Sequence, residues 1–588
     1  MSQGKFYTSE RNVQILISIL KANGIKRIIA SPGATNFTFV GSLQDDSYFE
    51  IYSCVDERSA AYIACGMAAE SNEPVVLSCT GSTASRNYYP GLTEAYYRKL
   101  PVLAVTSHQG SDRIGHLLPQ NIDRHSRPAD LVRLSVELPI VKDDRDENYV
   151  VTETNRAILE LTRNGGGPVH INLITTYSTD FSEKELPNVK VIKRYFLWHS
   201  LPDIPSGRIG IYVGAHTKFT ESQNVAINNF CATYDAVVIC DHTSGYYGPY
   251  RLLPTLLLMQ KNLANPLPAF DLMIHIGEVS AAAFLNSFHP KEVWRVNEDG
   301  EIRDTFKRLT SVFQMSEESF FLSYSKEGCS KHEFIDYSRR LCGKIYEKIP
   351  ELPFSNIWVA QTLSPAIPKG SIFHLGVSNT RRSWNMFSLP ESVSSSCNVG
   401  CCGIDGCLST LIGASLVIPE KLCYIVLGDL TFFYDLNVLG NRHVGKNVRI
   451  LLINNGKGTE FRLKIHFCNS FGEDANKYMA AAGHFGNQSP LLVRHIATDL
   501  GFQYITASTK DEFLANMPVF TNPLLTERPI LFEVFTKSED ESEALEIITN
   551  LDSNLSGMLK SNVVKIIKDV AGEKGINTVK NIVGKIKG

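Results

Sequence analysis

The sequence has little that would place it outside the ordinary globular enzymes. No uninterrupted apolar stretch approaches the roughly 18 residues of a spanning helix, and the opening Met-Ser-Gln-Gly-Lys-Phe-Tyr-Thr-Ser-Glu-Arg-Asn carries no apolar signal-peptide core. A cytoplasmic protein is the expectation. Neither sign of charge is in excess: 58 Lys and Arg face 61 Asp and Glu, a formal −3, which argues against a general nucleic-acid binder and leaves small anionic ligands to local sites. No Gly-x-Gly-x-x-Gly turn joins a first strand to a helix, which sets aside a dinucleotide-binding dehydrogenase. No short-period repeat is visible.

Paired metal-knuckle cysteines are missing too. Thirteen cysteines are scattered through a large chain without a secretory signal, so free buried thiols are expected rather than a disulfide framework. Cys397, Cys401, Cys402 and Cys407 do cluster. Adjacent cysteines rarely reach one tetrahedral ion without strain, and the four are read as small residues filling a tight Gly-rich loop.

At 588 residues the chain exceeds one hydrophobic core, and length alone suggests about three or four domains. From Val13 to about Thr175, a helix at Val13–Leu20 is followed by strands at Arg27–Ala30, Pro74–Ser78 and Pro101–Thr106. Two similar passages follow, with strands at Arg208–Val213 and Ala236–Cys240, then at Cys423–Leu427 and Val448–Ile453. Such alternation predicts α/β architecture with three doubly wound parallel sheets: domains over 1–180, 200–325 and 350–537, with boundaries in the polar, Pro-bearing stretches Tyr177–Ser206 and Ser325–Phe354. Lys537–Ala544 reads as a solvated charged linker. The last thirty residues set lysines and apolar positions in a helical rhythm, giving a basic amphipathic tail over 538–588 that either docks on the protein or touches an anionic membrane surface.

The most informative pair of segments is Gly428-Asp429-Leu430 and Asn454-Asn455-Gly456-Lys457-Gly458. Each follows an apolar strand-like run, so both fall at carboxyl ends of parallel strands, where open α/β sheets bind ligands. An Asp carboxylate, an Asn amide oxygen and a loop carbonyl form a hard oxygen set suited to magnesium. Two ordinary turns would use the same residues.

The spacing resembles the diphosphate-binding motif of thiamine diphosphate enzymes. Ser31-Pro-Gly33, Val55-Asp-Glu-Arg-Ser-Ala60 and Cys397-Asn-Val-Gly-Cys-Cys-Gly-Ile-Asp-Gly406, in that order, resemble the menaquinone-pathway 2-succinyl-5-enolpyruvyl-6-hydroxy-3-cyclohexene-1-carboxylate synthase family. Tyr434–Asn437 and Gly207–Gly214 extend the likeness over roughly residues 10 to 535. The resemblance implies pyrimidine-binding, central and diphosphate-binding domains, and thiamine diphosphate with Mg2+ as cofactors. It further implies a homodimer or dimer of dimers whose active site draws on both subunits.

Residue by residue, the resemblance makes Glu57 the carboxyl group that activates the cofactor's aminopyrimidine ring; without it, Glu57 is simply a carboxylate favoured at a helix start. Thr80, Gly81, Ser82, Thr83 and Asn87 match the turn beneath that ring, where helix capping is the other reading. Asp429, Asn455 and the Lys457 carbonyl match the metal ligands, although the family commonly has Gly at position 457. Gly428, Leu430, Thr431, Gly458 and Ser378 match the diphosphate cradle, and Gly403 and Ile404 match the wedge that bends the cofactor. A core isoleucine is the alternative at 404. Gln120 and Arg382 match substrate-pocket positions.

Two carboxylate-gripping arginines of the family are absent, Thr35 and Val399 standing in their places, and a basic pocket segment appears as Ser107-His-Gln-Gly110. Arg offers a bidentate grip that Thr and Val cannot, so a changed substrate is expected, with a monocarboxylic 2-oxo acid preferred over 2-oxoglutarate. His108, His116 and His125 in this region are candidate proton donors, His108 foremost. The function expected is decarboxylation of a 2-oxo acid with transfer of the acyl anion equivalent to an acceptor. A simple decarboxylase and a non-catalytic assembly subunit are the alternatives, the latter opposed by retention of Glu57, Asp429 and Asn455 together.

Overall fold

The structure, a computed structural model, describes residues 6–551 apart from 125, 264, 265, 283, 327, 486 and 487. His125 and the basic tail after 551 therefore lie outside the described residues. The chain forms two compact units, Met1–Pro202 with Glu292–Ser316, and Asp203–Lys291 with Glu317–Gly588.

The first unit is built on β1 (Arg27–Ala30), β2 (Glu50–Ser53), β3 (Val75–Thr80), β4 (Val102–His108), β5 (Leu134–Leu138) and β6 (Val169–Ile174), in the order β2-β1-β3-β4-β6-β5. Every pairing is parallel. Parallel strands need crossover helices, which cover both faces, and the central strands are accordingly apolar throughout rather than alternating. Val76, Leu103 and Val105 join Ile15, Leu16 and Ile19 of helix Arg11–Ala22 on one face. Val75, Leu77 and Ala104 meet Ala60, Ala61, Ala64 and Ala68 of helix Glu57–Ser71 on the other.

Seven further strands follow: β7 (Lys193–Phe196), β8 (Ile209–Val213), β9 (Val237–Ile239), β10 (Arg251–Leu252), β11 (Leu272–Ile276), β12 (Glu292–Asn297) and β13 (Leu309–Gln314). The first unit holds β12-β13-β7 and the second holds β10-β9-β8-β11, all parallel. The last sheet, wholly in the second unit, comprises β14 (Ile372–Leu375), β15 (Ser394–Cys397), β16 (Cys423–Gly428), β17 (Val448–Asn454), β18 (Gln503–Ala507) and β19 (Ile530–Phe535). Its order is β15-β14-β16-β17-β19-β18. Three parallel sheets with intervening helices are the α/β architecture expected from the alternation of patterns.

The first and last sheets share one topology. Numbered within each sheet, both run 2-1-3-4-6-5, so the chain direction across the sheet reverses between strands 1 and 3, at β1/β3 and at β14/β16. Loops leaving the two strands of such a switch point diverge and open a crevice at their carboxyl ends.

One reading of the sequence needs correction. Lys537–Ala544 is not a solvated linker: Ser538–Ile548 is a helix that buries Glu541, Ser542, Ala544, Leu545 and Ile548. Those positions repeat at helical spacing, and the acidic residues around Glu541 had hidden the stripe. The boundary stretch after Ser325 contains helix Glu333–Tyr346, which buries Phe334, Ile335, Cys342 and Ile345.

Helix Glu57–Ser71 approaches helix Tyr89–Arg98 closely because Gly91 has no side chain there. A Cβ at Gly91 would lie 2.4 Å from the Ala61 Cβ and 2.9 Å from its carbonyl carbon, closer than packed atoms come. Gly91→Ala is expected to destabilise the protein by about 1–3 kcal/mol, the range of a core overpacked by a methyl group, measurable by denaturant unfolding. The same variant shifts the helix that begins at Glu57.

Candidate active site

In the first unit the candidate residues gather at the carboxyl ends of β1 to β4. Asp56 caps helix Glu57–Ser71, accepting from the N–H groups of Arg58 and Ser59, and this fixes Glu57 as the first helical residue. Asn87 Nδ2 donates to Glu57 Oε2 at 3.2 Å. Between these two helix ends runs the turn Thr80-Gly81-Ser82-Thr83. Ser82 has φ 64° and ψ −141°, a region costly for a residue with a Cβ and found where the surroundings impose it, as at binding sites. Gly33 faces the same turn, where a Cβ would come within 2.5 Å of Thr80 Cβ.

Thr35 is buried in this corner. Its hydroxyl bonds to the Ser107 carbonyl and Thr80 Oγ1, both at 2.6 Å, and accepts from Gly81 N–H at 3.3 Å. It is thus a knot between strand ends, not a shortened substrate ligand. His108 ends β4, buried, with Nε2 3.5 Å from Glu137 Oε2. His116 and Gln120 are exposed, Gln120 with φ 66°.

In the second unit the candidates converge on β14, β16 and β17. Asp429, 5% exposed, follows β16 directly. Its Oδ1 accepts from Leu430 N–H at 2.7 Å, and its Oδ2 accepts from Asn455 N–H at 3.1 Å and Gly456 N–H at 2.6 Å. Burial nonetheless pushes the carboxyl up to about 6, against the pull of those amides. A buried carboxylate so poised suits a cation. The Leu430 N–H, expected to face a diphosphate, is instead committed to Asp429.

Asn455 and Lys457 lie on the loop that Asp429 holds. Thr459 Oγ1 donates to Asn455 Oδ1 at 2.7 Å, and Thr459 N–H donates to the Lys457 carbonyl at 2.8 Å. Thr459, unremarked in the sequence, therefore gathers two of the three expected metal-ligand oxygens. Gly458 is tight: a Cβ there would sit 3.1 Å from Leu430 Cδ1 and from Phe461. Ser378, beyond β14, has φ 65° and ψ −125°, so each half-site carries one serine in this strained region.

Gly403 and Ile404 are half-buried, Ile404 packing against the core cluster of Leu408, Leu411 and Leu427. Helix Cys407–Val417, next in the chain, is pinned by Asp435, which accepts from Ser409 N–H at 2.6 Å and Ser409 Oγ at 2.5 Å. Val399 is buried. Cys401 is exposed, which corrects its reading as loop filling; Cys402, also exposed, turns its Sγ to the Val399 carbonyl of the same loop at 3.5 Å. All thirteen cysteines are free, and no group of three or more His, Cys, Asp or Glu side chains suited to a metal occurs among the described residues.

Two acidic residues escaped the sequence reading. Glu460 takes both ends of Arg382, with Nη1–Oε2 at 2.9 Å and Nη2–Oε1 at 2.5 Å. Glu541 Oε1 accepts from Thr536 Oγ1 at 2.7 Å and from Asn356 N–H at 2.9 Å, and the Asn379 side chain, next to Ser378, pulls the carboxyl toward ionisation.

The fold and these two strand-end clusters define the class, the thiamine diphosphate-dependent enzymes: residues 11–127 match the family model described as thiamine pyrophosphate enzyme, N-terminal TPP binding domain. Among curated relatives, the 2-succinyl-5-enolpyruvyl-6-hydroxy-3-cyclohexene-1-carboxylate synthase of Phocaeicola vulgatus is 30% identical over 569 residues, covering 92% of this chain and 98% of its own. Synthases of the same name from Bacteroides fragilis and Bacteroides thetaiotaomicron are each 29% identical, at the same coverage. The chain belongs to this synthase family. It is a thiamine diphosphate-dependent enzyme that decarboxylates a 2-oxo acid and transfers the retained acyl unit to an acceptor.

Burial pushes the Glu541 carboxyl up to about 7 from 4.5. A carboxyl raised on folding favours the folded state most below its unfolded pKa and loses that contribution as pH rises through the folded value. Between about pH 4.5 and pH 7, the wild-type protein is therefore expected to lose stability that Glu541→Gln retains, since glutamine keeps the acceptor oxygen without the charge. Melting temperatures of both proteins across that window check it.

Proposed function

We propose that Glu57 and the Asp429 cluster are the catalytic groups, the second being the one that would hold Mg2+ and the cofactor's diphosphate. The observation that carries this reading is Asp429, a buried carboxyl that accepts the Asn455 and Gly456 N–H groups and so holds the loop that carries the Asn455 side-chain oxygen and the Lys457 carbonyl. That all-oxygen set fits a small hard divalent cation. Asp429, Asn455 and Lys457 would hold the metal, with Gly428, Leu430, Thr431, Gly458 and Ser378 lining the diphosphate. Gly403 and Ile404 would support the cofactor from the loop after β15, and Thr80, Ser82 and Thr83 would underlie its ring.

Bound thiamine diphosphate supplies the nucleophilic carbon and the electron sink. The protein's part begins at Glu57, whose carboxyl would hold and release the proton that activates the cofactor's ring, while Asn87 holds Oε2 in place. In this reading His108, at the end of β4 and facing Glu137, serves as a proton donor, and Gln120, on the loop beyond it, as a donor-pocket residue. Val55, Tyr62 and Ile63, 78%, 49% and 43% exposed around Glu57, support a second copy of the chain covering this face in a cytoplasmic homodimer or dimer of dimers. Thr35 and Val399 are uncharged where the resemblance expects arginines, which favours a 2-oxo acid with one carboxylate over a 2-oxo diacid.

Glu57→Gln is expected to lower donor-dependent carbon dioxide release by roughly a hundredfold or more, the scale of a lost acid-base group, with the fold and most cofactor affinity intact. Rates near wild type would remove Glu57 from the mechanism. Asp429→Ala is expected to weaken thiamine diphosphate binding in the presence of magnesium, and calorimetry showing unchanged affinity would refute the metal site.

A further inference from the structure

Arg382 is the arginine that family resemblance places against a substrate carboxylate, and here a carboxylate of the chain itself already holds it. The two bonds at 2.9 and 2.5 Å form a fork-to-fork pair, with only 16% of the Arg382 side chain and 19% of the Glu460 side chain exposed. Such planar, bidentate, partly desolvated pairs are the strong form of the interaction.

Both partners are fixed from behind. Arg382 sits on helix Asn379–Trp384, its N–H bonded to the Ser378 carbonyl at 3.1 Å. Glu460 sits in the turn Thr459–Arg462, following Gly458, whose N–H bonds to the Ala480 carbonyl at 2.6 Å, and Thr459, whose hydroxyl holds Asn455. The pair thus bridges the loop after β14 to the loop after β17 within one unit.

An internal carboxylate held at its partner competes with any dissolved one at an effective concentration of at least the millimolar order. A substrate carboxylate reaching for Arg382 would also strand Glu460 as an unpaired, partly buried anion, which is strongly unfavourable. Of the neighbouring cations, Arg381 is buried within electrostatic range of Tyr212 and Cys397, and Arg462 is bound to Glu473 at 2.8 Å. Lys457, half-buried, is the one basic side chain of residues 455–462 without an ion pair among the described residues.

We infer that Glu460 is a specificity-determining residue: by occupying Arg382 it closes the position for a second substrate carboxylate and restricts the donor to monocarboxylic 2-oxo acids. The inference rests on the decarboxylase-carboligase reading and deepens it.

The test compares 2-oxoglutarate with pyruvate in wild type, Glu460→Gln, Glu460→Ser and Glu460→Gln/Arg382→Met, each loaded with thiamine diphosphate and magnesium. Carbon dioxide release gives kcat/KM. Calorimetry with glutarate, a dicarboxylate lacking the reactive oxo group, gives binding without turnover. Wild type is expected to prefer pyruvate. Freeing the guanidinium in either single variant is expected to raise the 2-oxoglutarate-to-pyruvate ratio, and to tighten glutarate, by about tenfold or more, the equivalent of about 1.4 kcal/mol; the double variant loses both gains.

Wild-type preference for 2-oxoglutarate overturns the inference while leaving the reaction class intact. So do single variants with an unchanged ratio and unchanged glutarate affinity, or a double variant that keeps the gain. Absence of carbon dioxide release from every donor overturns the reaction reading instead, and the glutarate titration still decides whether Glu460 masks Arg382. Two different replacements guard against one that fails to fold.

Discussion

The carboxylate of Asp429 is the contact on which the second half-site depends. It accepts three backbone N–H groups, one from its own helix start and two from the loop after β17, and so fastens the ends of two neighbouring strands at a single point. Everything that follows in that loop is placed from there: Asn455, the Lys457 carbonyl, the tight passage at Gly458, and Glu460 against Arg382. Backbone amides, those three and the one at Lys457, pull the carboxyl toward ionisation and burial pushes it away, with burial prevailing in the protein alone. An arriving cation changes that balance, because it satisfies the charge that burial opposes.

The remaining site geometry comes from topology. Two sheets of one strand order place their switch points at β1/β3 and β14/β16, and each opening is bordered by a serine held at φ near +65°. A non-glycine residue persists there only because the strand before it and the helix after it determine the backbone path. The two half-sites therefore reuse one architectural device with different chemistry, a carboxylate and an amide in one, an oxygen-rich loop in the other.

Much of this was legible in the sequence. The apolar runs Cys423–Leu427 and Val448–Ile453 are strands β16 and β17, and Asp429 and Asn455 stand at their ends because an all-apolar stretch ending in Gly-Asp or Asn-Asn has few other readings in an α/β chain. Glu57 was legible only through its motif, since an exposed-looking Glu before an Ala-rich helix has an ordinary explanation. Glu460 was not legible: its partner is 78 residues away, and no local pattern marks a loop glutamate as paired. Glu541 stood amid Ser-Glu-Asp-Glu-Ser-Glu, where charge density suggested solvent, yet 541, 544, 545 and 548 repeat at the spacing of one helix face. Cys401 misled in the opposite sense, because a small residue in a Gly-rich loop suggests filling even when it is exposed.

The division into units has a consequence for how the chain is made. The first unit is discontinuous, needing residues Glu292–Ser316 as well as Met1–Pro202, so β12 and β13 reach it only after β8 to β11 of the second unit have been synthesised. An emerging N-terminal segment therefore waits with β7 lacking its neighbour β13. Long-range parallel pairing is slow to form, and an unpaired strand edge during that wait is open to association with other chains. Productive folding of this enzyme thus depends on the interval between translation of Phe196 and of Gln314, a vulnerability of nascent polypeptides rather than of the finished site.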